Sequence, residues 1–112
     1  MSEQSFAGAI AVRDAKLAEI AALSAKDRNR VAAVVGGVNL STGQIAVGLK
    51  KTGENYGKCA EDLCADALGG PSEDILMSPA VRPRTMEVIP VCKRCQTKFS
   101  RNQFPPETPF EE

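Results

Sequence analysis

Apolar residues recur at helical intervals from Ala7 to about Lys26. Ile10, Leu17, Ile20, Ala21 and Leu23 are separated by Arg13, Asp14, Lys16 and Glu19, which predicts an amphipathic helix packed on a flat surface. The period then changes. Val31-Ala32-Ala33-Val34-Val35 is an unbroken run of the kind a buried strand carries, and Gly36-Gly37 is expected to end it. Asn39 to Gly43 reads as a turn. Beyond it Ile45, Val47 and Leu49 alternate with Ala46, Gly48 and Lys50, the two-residue period of a second strand, so residues 31 to 50 are expected to form a hairpin.

Lys51 to Lys58 is polar and reads as a loop. Ala60, Leu63, Ala65, Ala67 and Leu68 favour a helix from Cys59 to Leu68, stopped by Gly69-Gly70-Pro71. Ile75-Leu76-Met77 is a short apolar run, either an edge strand or the start of a third strand, and Met86 to Val91 is the expected third strand. Between them Pro79 and Pro83 interrupt any regular element. A helix from about Cys92 to Ser100 follows, and Phe104-Pro105-Pro106-Glu107-Thr108-Pro109-Phe110 reads as an extended tail, coil or edge cover. The sum is one α/β domain over residues 7–104, with a frayed start at 1–6 and a tail at 105–112.

Composition narrows the chemistry. The 112 residues carry 14 basic and 14 acidic side chains, so the chain as a whole is no polycation. Locally, Ser78 to Phe104 holds Arg82, Arg84, Lys93, Arg94, Lys98 and Arg101 against Glu87 alone, a patch suited to phosphates or simply a solvated face. Histidine is absent, which removes His-dependent hydrolase triads and mixed Cys/His zinc sites. Trp is also absent, with one Tyr and four Phe, so an extended base-stacking platform is not expected. No apolar run approaches a membrane span, and four cysteines without dense spacing fit metal use in a reducing compartment.

Those cysteines carry the sharpest signal, Cys59-Ala60-Glu61 followed by Pro90-Val91-Cys92-Lys93-Arg94-Cys95. A catalytic zinc takes three protein ligands and leaves one position for water, whereas a structural zinc is closed by four. Cys59, Cys92 and Cys95 would leave that position open, and Glu61, two residues from the first ligand, would reach the water as general acid and base. Both clusters are expected at helix starts, where thiolates are stabilised. Cys64 lies about 140° around the helix from Cys59 and reads as a core residue. A closed four-thiolate site of Cys59, Cys64, Cys92 and Cys95 is the main rival, and a redox pair of Cys92 and Cys95 is a third reading.

The C-x-E…P-x-C-x-x-C arrangement after a helix and a hairpin resembles the zinc-dependent cytidine and nucleic-acid deaminase superfamily. The resemblance covers roughly residues 31 to 104. It implies a compact cytidine deaminase-like three-layer fold, a central mixed β-sheet with flanking helices, binding Zn2+ and converting cytosine to uracil. It also implies substrate roles. Asn39 would bond the nucleotide sugar, though it is equally an ordinary turn residue; Tyr56 would stack on a flipped base or merely anchor the loop. The Ala60 backbone N–H would meet the base carbonyl, and Arg82 and Arg84 would contact phosphate. Family members usually continue with further strands after the C-x-x-C helix. The short form here is similar to the deaminase domains of bacterial polymorphic toxins. That likeness implies a monomer acting on single-stranded DNA in a target cell's cytoplasm, delivered as the C-terminal part of a larger secreted toxin and restrained by an immunity protein.

Overall fold

The structure, a computed structural model, describes residues 2–53, 58–70 and 72–111. A sheet lies between helices on its two faces, and the hairpin strands β1 (Val31–Asn39) and β2 (Ile45–Lys51) form its centre and one edge. Alternation along β1 sets the layers. Val34 packs with Leu17 and Ile20 of helix α1 (Ser2–Ala21), and Val38 packs with Phe6 and Ala9 of the same helix. Val35 faces the other way, into a cluster with Ala60, Cys64 and Leu68 from the segment of helix α3 (Ala60–Ala67).

The glycine pair that was expected to end β1 lies inside it, and the strand runs on to Asn39. A Cβ on Gly36 would strike the backbone of Ala9 and, at 2.8 Å, Val12 of α1; one on Gly37 would sit 2.6 Å from the Cys64 sulfur. Each glycine thus lets one helix approach the sheet, on opposite faces.

Helix α1 begins at Ser2, within the stretch expected to be frayed, and Phe6 packs against Val38 and Leu76. The predicted single helix to Lys26 instead breaks at residues 22–24. Ser24 caps a short α2 (Ala25–Asn29), its hydroxyl accepting from the Asp27 N–H at 3.3 Å.

On the other side of β1 two short strands share one edge. β3 (Ile75–Met77) pairs Leu76 with Val38, and β4 (Ala80–Arg82) pairs Val81 with Val34. Ser78 bridges the gap, donating its N–H to the Gly36 carbonyl at 2.8 Å and accepting the Gly36 N–H on its hydroxyl at 2.9 Å. β4 was hidden in the sequence by the flanking Pro79 and Pro83. It continues through a turn to β5 (Glu87–Ile89), narrower than the expected 86–91. All pairings among these strands are antiparallel. The parallel component expected of a mixed sheet is confined to the Val91–Phe110 bridge.

Helix α4 (Lys93–Gln96) is one turn, shorter than the expected 92–100 segment, and is followed by a 3-10 turn at Arg101–Gln103. The tail is built into the fold. Phe104 is 2 % exposed, the Val91 N–H donates to the Pro109 carbonyl at 3.0 Å, and the Glu111 N–H donates to the Val91 carbonyl at 2.9 Å. Among the described residues no helix is long and apolar enough to cross a membrane.

Candidate metal centre

Two helix starts deliver the cysteines. Cys59 is the N-cap of α3 with extended backbone (φ −93°, ψ 170°), and Cys92 is the N-cap of α4 (φ −70°, ψ 157°). Cys95 follows one turn into α4 and is fully buried against the sheet-side core. α3 can lie this close because β2 offers Gly48 beneath it; a Cβ there would strike the Ala60 carbonyl and sit 2.6 Å from the Cys64 nitrogen. The sulfurs of Cys59, Cys92 and Cys95 all fall within 4.8 Å of one another, and Cys59 Sγ is 3.1 Å from Cys92 Sγ. Three soft donors at this spacing can hold a metal ion, with Zn2+, Cu(I) and iron–sulfur chemistry the matching classes.

Burial raises the Cys59 thiol above its ordinary value, with the Cys92 contact adding to it. Burial also opposes charge on Cys92, but hydrogen bonds from Cys59 and Cys95 outweigh it and hold that thiol below its ordinary value. Cys95 is pushed strongly upward by burial and by Glu61. The neighbours thus favour a thiolate on Cys92, and a cation among the sulfurs would favour ionisation of the other two.

Cys64 stands apart. It is fully buried, its sulfur turned towards Gly37 and the Ala46 carbonyl 3.8 Å away, and burial pushes its thiol to about 12. The three-cysteine group does not include it.

A cleft of about 280 Å3 opens beside the sulfurs. Cys59, Ala60, Glu61 and Cys92 line one wall, and Ala33, Arg82 and Ile89 the sheet side. Lys50, Lys58 and Glu111 also border it. Glu61 is 5 % exposed, and burial, reinforced by the neighbouring Asp62 charge, raises its carboxyl above the usual range. A larger cavity of about 360 Å3 on the α1 side, lined by Ile20, Leu23, Val31 and Leu49 with charged residues around them, has no cysteine or methionine in its lining.

Of the substrate residues expected from the resemblance, Ala60 and Arg82 border the cleft. Arg84 lies exposed on the β4–β5 turn and is not part of its lining. Asn39 is at the far end of β1 from Ala33, roughly 20 Å away at about 3.3 Å per residue. Its amide donates to the Leu68 carbonyl at 2.9 Å, and its oxygen accepts the Ser41 N–H at 2.9 Å, the work of a turn residue. Tyr56 lies outside the described residues.

One group was missed in the sequence. Asp62, 5 % exposed, accepts the Cys59 N–H at 3.0 Å, Lys98 at 2.9 Å and Arg94 at 3.4 Å. Arg94 also donates to Cys59 Sγ at 3.3 Å. Asp62 thus ties the start of α3 to α4. An acid three residues after an N-cap is a helix-start signal that was available in the sequence.

Comparison with protein-family models, with curated proteins and with solved structures finds no match to this chain.

Proposed function

We propose that the chain is a zinc-dependent hydrolytic deaminase converting cytosine to uracil in single-stranded nucleic acid, DNA being favoured. The observation that supports it is the coincidence, at one cleft, of three clustered sulfurs and a buried glutamate on the first turn of the helix that Cys59 caps. Cys59, Cys92 and Cys95 would hold the ion. Zinc bound there would supply an acidified water as the nucleophile for C4 of the base. Glu61, whose raised pKa makes its carboxylate a stronger base than an ordinary glutamate, would take the first proton of the attacking water to the ring nitrogen and the second, from the resulting hydroxyl, to the departing amine, which leaves as ammonia. The Ala60 N–H and Arg82 would orient the base and the backbone phosphate. The seclusion of Cys64 argues against a closed four-thiolate module. A toxin setting, with delivery into a target cell and an immunity partner, rests on the sequence resemblance alone.

The test is uracil formation in a cytosine-containing single-stranded oligonucleotide, with zinc content measured on the same samples. Glu61→Ala should keep one zinc per chain and lose about 100- to 10,000-fold in rate. Zinc on both proteins with no deamination of DNA, RNA or free nucleosides by the wild type would sink catalysis.

A further inference from the structure

The sulfur cluster is asymmetric in a way that a metal site alone does not require. Cys59 and Cys92 are half-buried and reachable from the cleft, while Cys95 and Cys64 are fully buried. The two reachable sulfurs are 3.1 Å apart. Two ligands of a tetrahedral zinc with bonds of about 2.3 Å stand about 3.7 Å apart, and a disulfide spans about 2.05 Å. The pair lies between these states, with roughly 0.6 Å to open for one and about 1 Å to close for the other. Both residues are N-caps with extended backbone, at the rim of their helices, where each carbonyl accepts only the first helical N–H. Arg94 places a cation against Cys59 Sγ at 3.3 Å, beside the sulfur that would attack or be attacked.

We propose that Cys59 and Cys92 are the site of a reversible intramolecular disulfide, formed by exchange with a low-molecular-weight disulfide such as oxidised glutathione, and that this bond and a metal ion exclude one another. One thiolate attacks a glutathione sulfur, breaking the S–S bond and releasing one glutathione. The second protein sulfur then attacks the mixed disulfide and releases the other. The protein loses two electrons and two protons, and oxidised glutathione gains both to become two thiols. Cys95 is left as a lone thiol, so two of three ligands are withdrawn together. The competition rests on the proposed metal site; the identity of the cross-linked pair does not.

The experiment treats chelator-stripped and zinc-loaded wild-type protein with oxidised glutathione, blocks free thiols, and maps the cross-link without reduction. Trypsin cuts after Lys93 and Arg94, separating Cys92 from Cys95, and cleavage before Asp62 separates Cys59 from Cys64. The stripped chain should lose the mass of two hydrogens, show a Cys59–Cys92 peptide, take up no zinc, and regain its full zinc content on reduction. Zinc-loaded protein should oxidise at least tenfold more slowly. Cys95→Ser should keep the cross-link and Cys92→Ser should lose it. A Cys92–Cys95 cross-link, or a glutathione adduct that never resolves, overturns the pairing. Equal oxidation rates with and without zinc overturn the exclusion. Failure of deamination with a mapped Cys59–Cys92 bond would remove the proposed reaction and leave this inference standing.

Discussion

Asp62 shows how one buried carboxylate organises the site. Burial by itself would raise its pKa, but the Cys59 N–H and the charges of Lys98 and Arg94 outweigh that cost and hold it below the usual aspartate range. A depressed carboxyl contributes its stabilisation above the unfolded value of about 3.9 and loses it as pH falls through the folded value. The gap in urea midpoint between wild type and Asp62→Asn should therefore be full at pH 6 and close below about pH 4. Asp62→Ala, which also strips the Cys59 N–H of its acceptor, should cost about 1–2 kcal/mol and weaken zinc binding, read by competition with a chelating dye. Cys64 gives the opposite case. In Cys64→Ser the hydroxyl inherits the Ala46 carbonyl as acceptor, and the protein should keep one zinc per chain; loss of the metal would restore the four-thiolate site. The role of Cys64 was legible from its angle around the helix, and so was the capping by Asp62 from its place in the first turn, whereas its link to Lys98 and Arg94, more than 30 residues away, was not.

At the scale of elements, the helix over the site is positioned by what β2 lacks. Gly48→Ala would drive a methyl into the Ala60 carbonyl and the start of α3, and should destabilise the fold by about 1–3 kcal/mol while loosening the Cys59 sulfur from its partners. Gly8→Ala on α1 meets only Val38, at 3.4 Å, and should stabilise by about 0.5–1 kcal/mol through helix propensity. Opposite shifts in the urea midpoint of the two variants are the expected result. These glycines also explain the limits of sequence reading. The β1–β2 hairpin and α3 were legible from period and breakers, and the Schellman cap on α3, with the Gly70 N–H donating to Ala65 at 2.8 Å, follows from Gly69-Gly70. A glycine inside a strand, however, carries the same local signal as one that ends it. Only the helices on the two faces decide, and for the same reason β4, two prolines away from any pattern, emerged from its contacts with β1.

At the scale of the whole molecule, the fold breaks up the basic stretch that the sequence presents as one patch. Arg84 stands on an outlying turn, Arg94 and Lys98 are engaged by Asp62, and Arg101 stacks its guanidinium 4.3 Å over the Phe110 ring. Of the six basic residues between Ser78 and Phe104, Arg82 alone lines the cleft, joined there by Lys50 and by Lys58, itself paired with Asp66, from outside the stretch. The two arrangements predict different salt dependence for a single-stranded oligonucleotide. Neutralising n phosphates on a single strand gives a slope of about −0.7n in log K against log salt. Contacts confined to the cleft, three at most, therefore predict a slope no steeper than about −2, whereas six contacts along the whole stretch would give about −4. Arg82→Ala should flatten the slope by about 0.7 and weaken binding at low salt, while Arg84→Ala should change neither. Fluorescence anisotropy across a salt series with zinc-loaded Glu61→Ala, which leaves the substrate intact, would measure all three. A slope near −4 that falls with Arg84→Ala would move the strand out of the cleft and onto the turn, away from the sulfurs that the proposed chemistry needs.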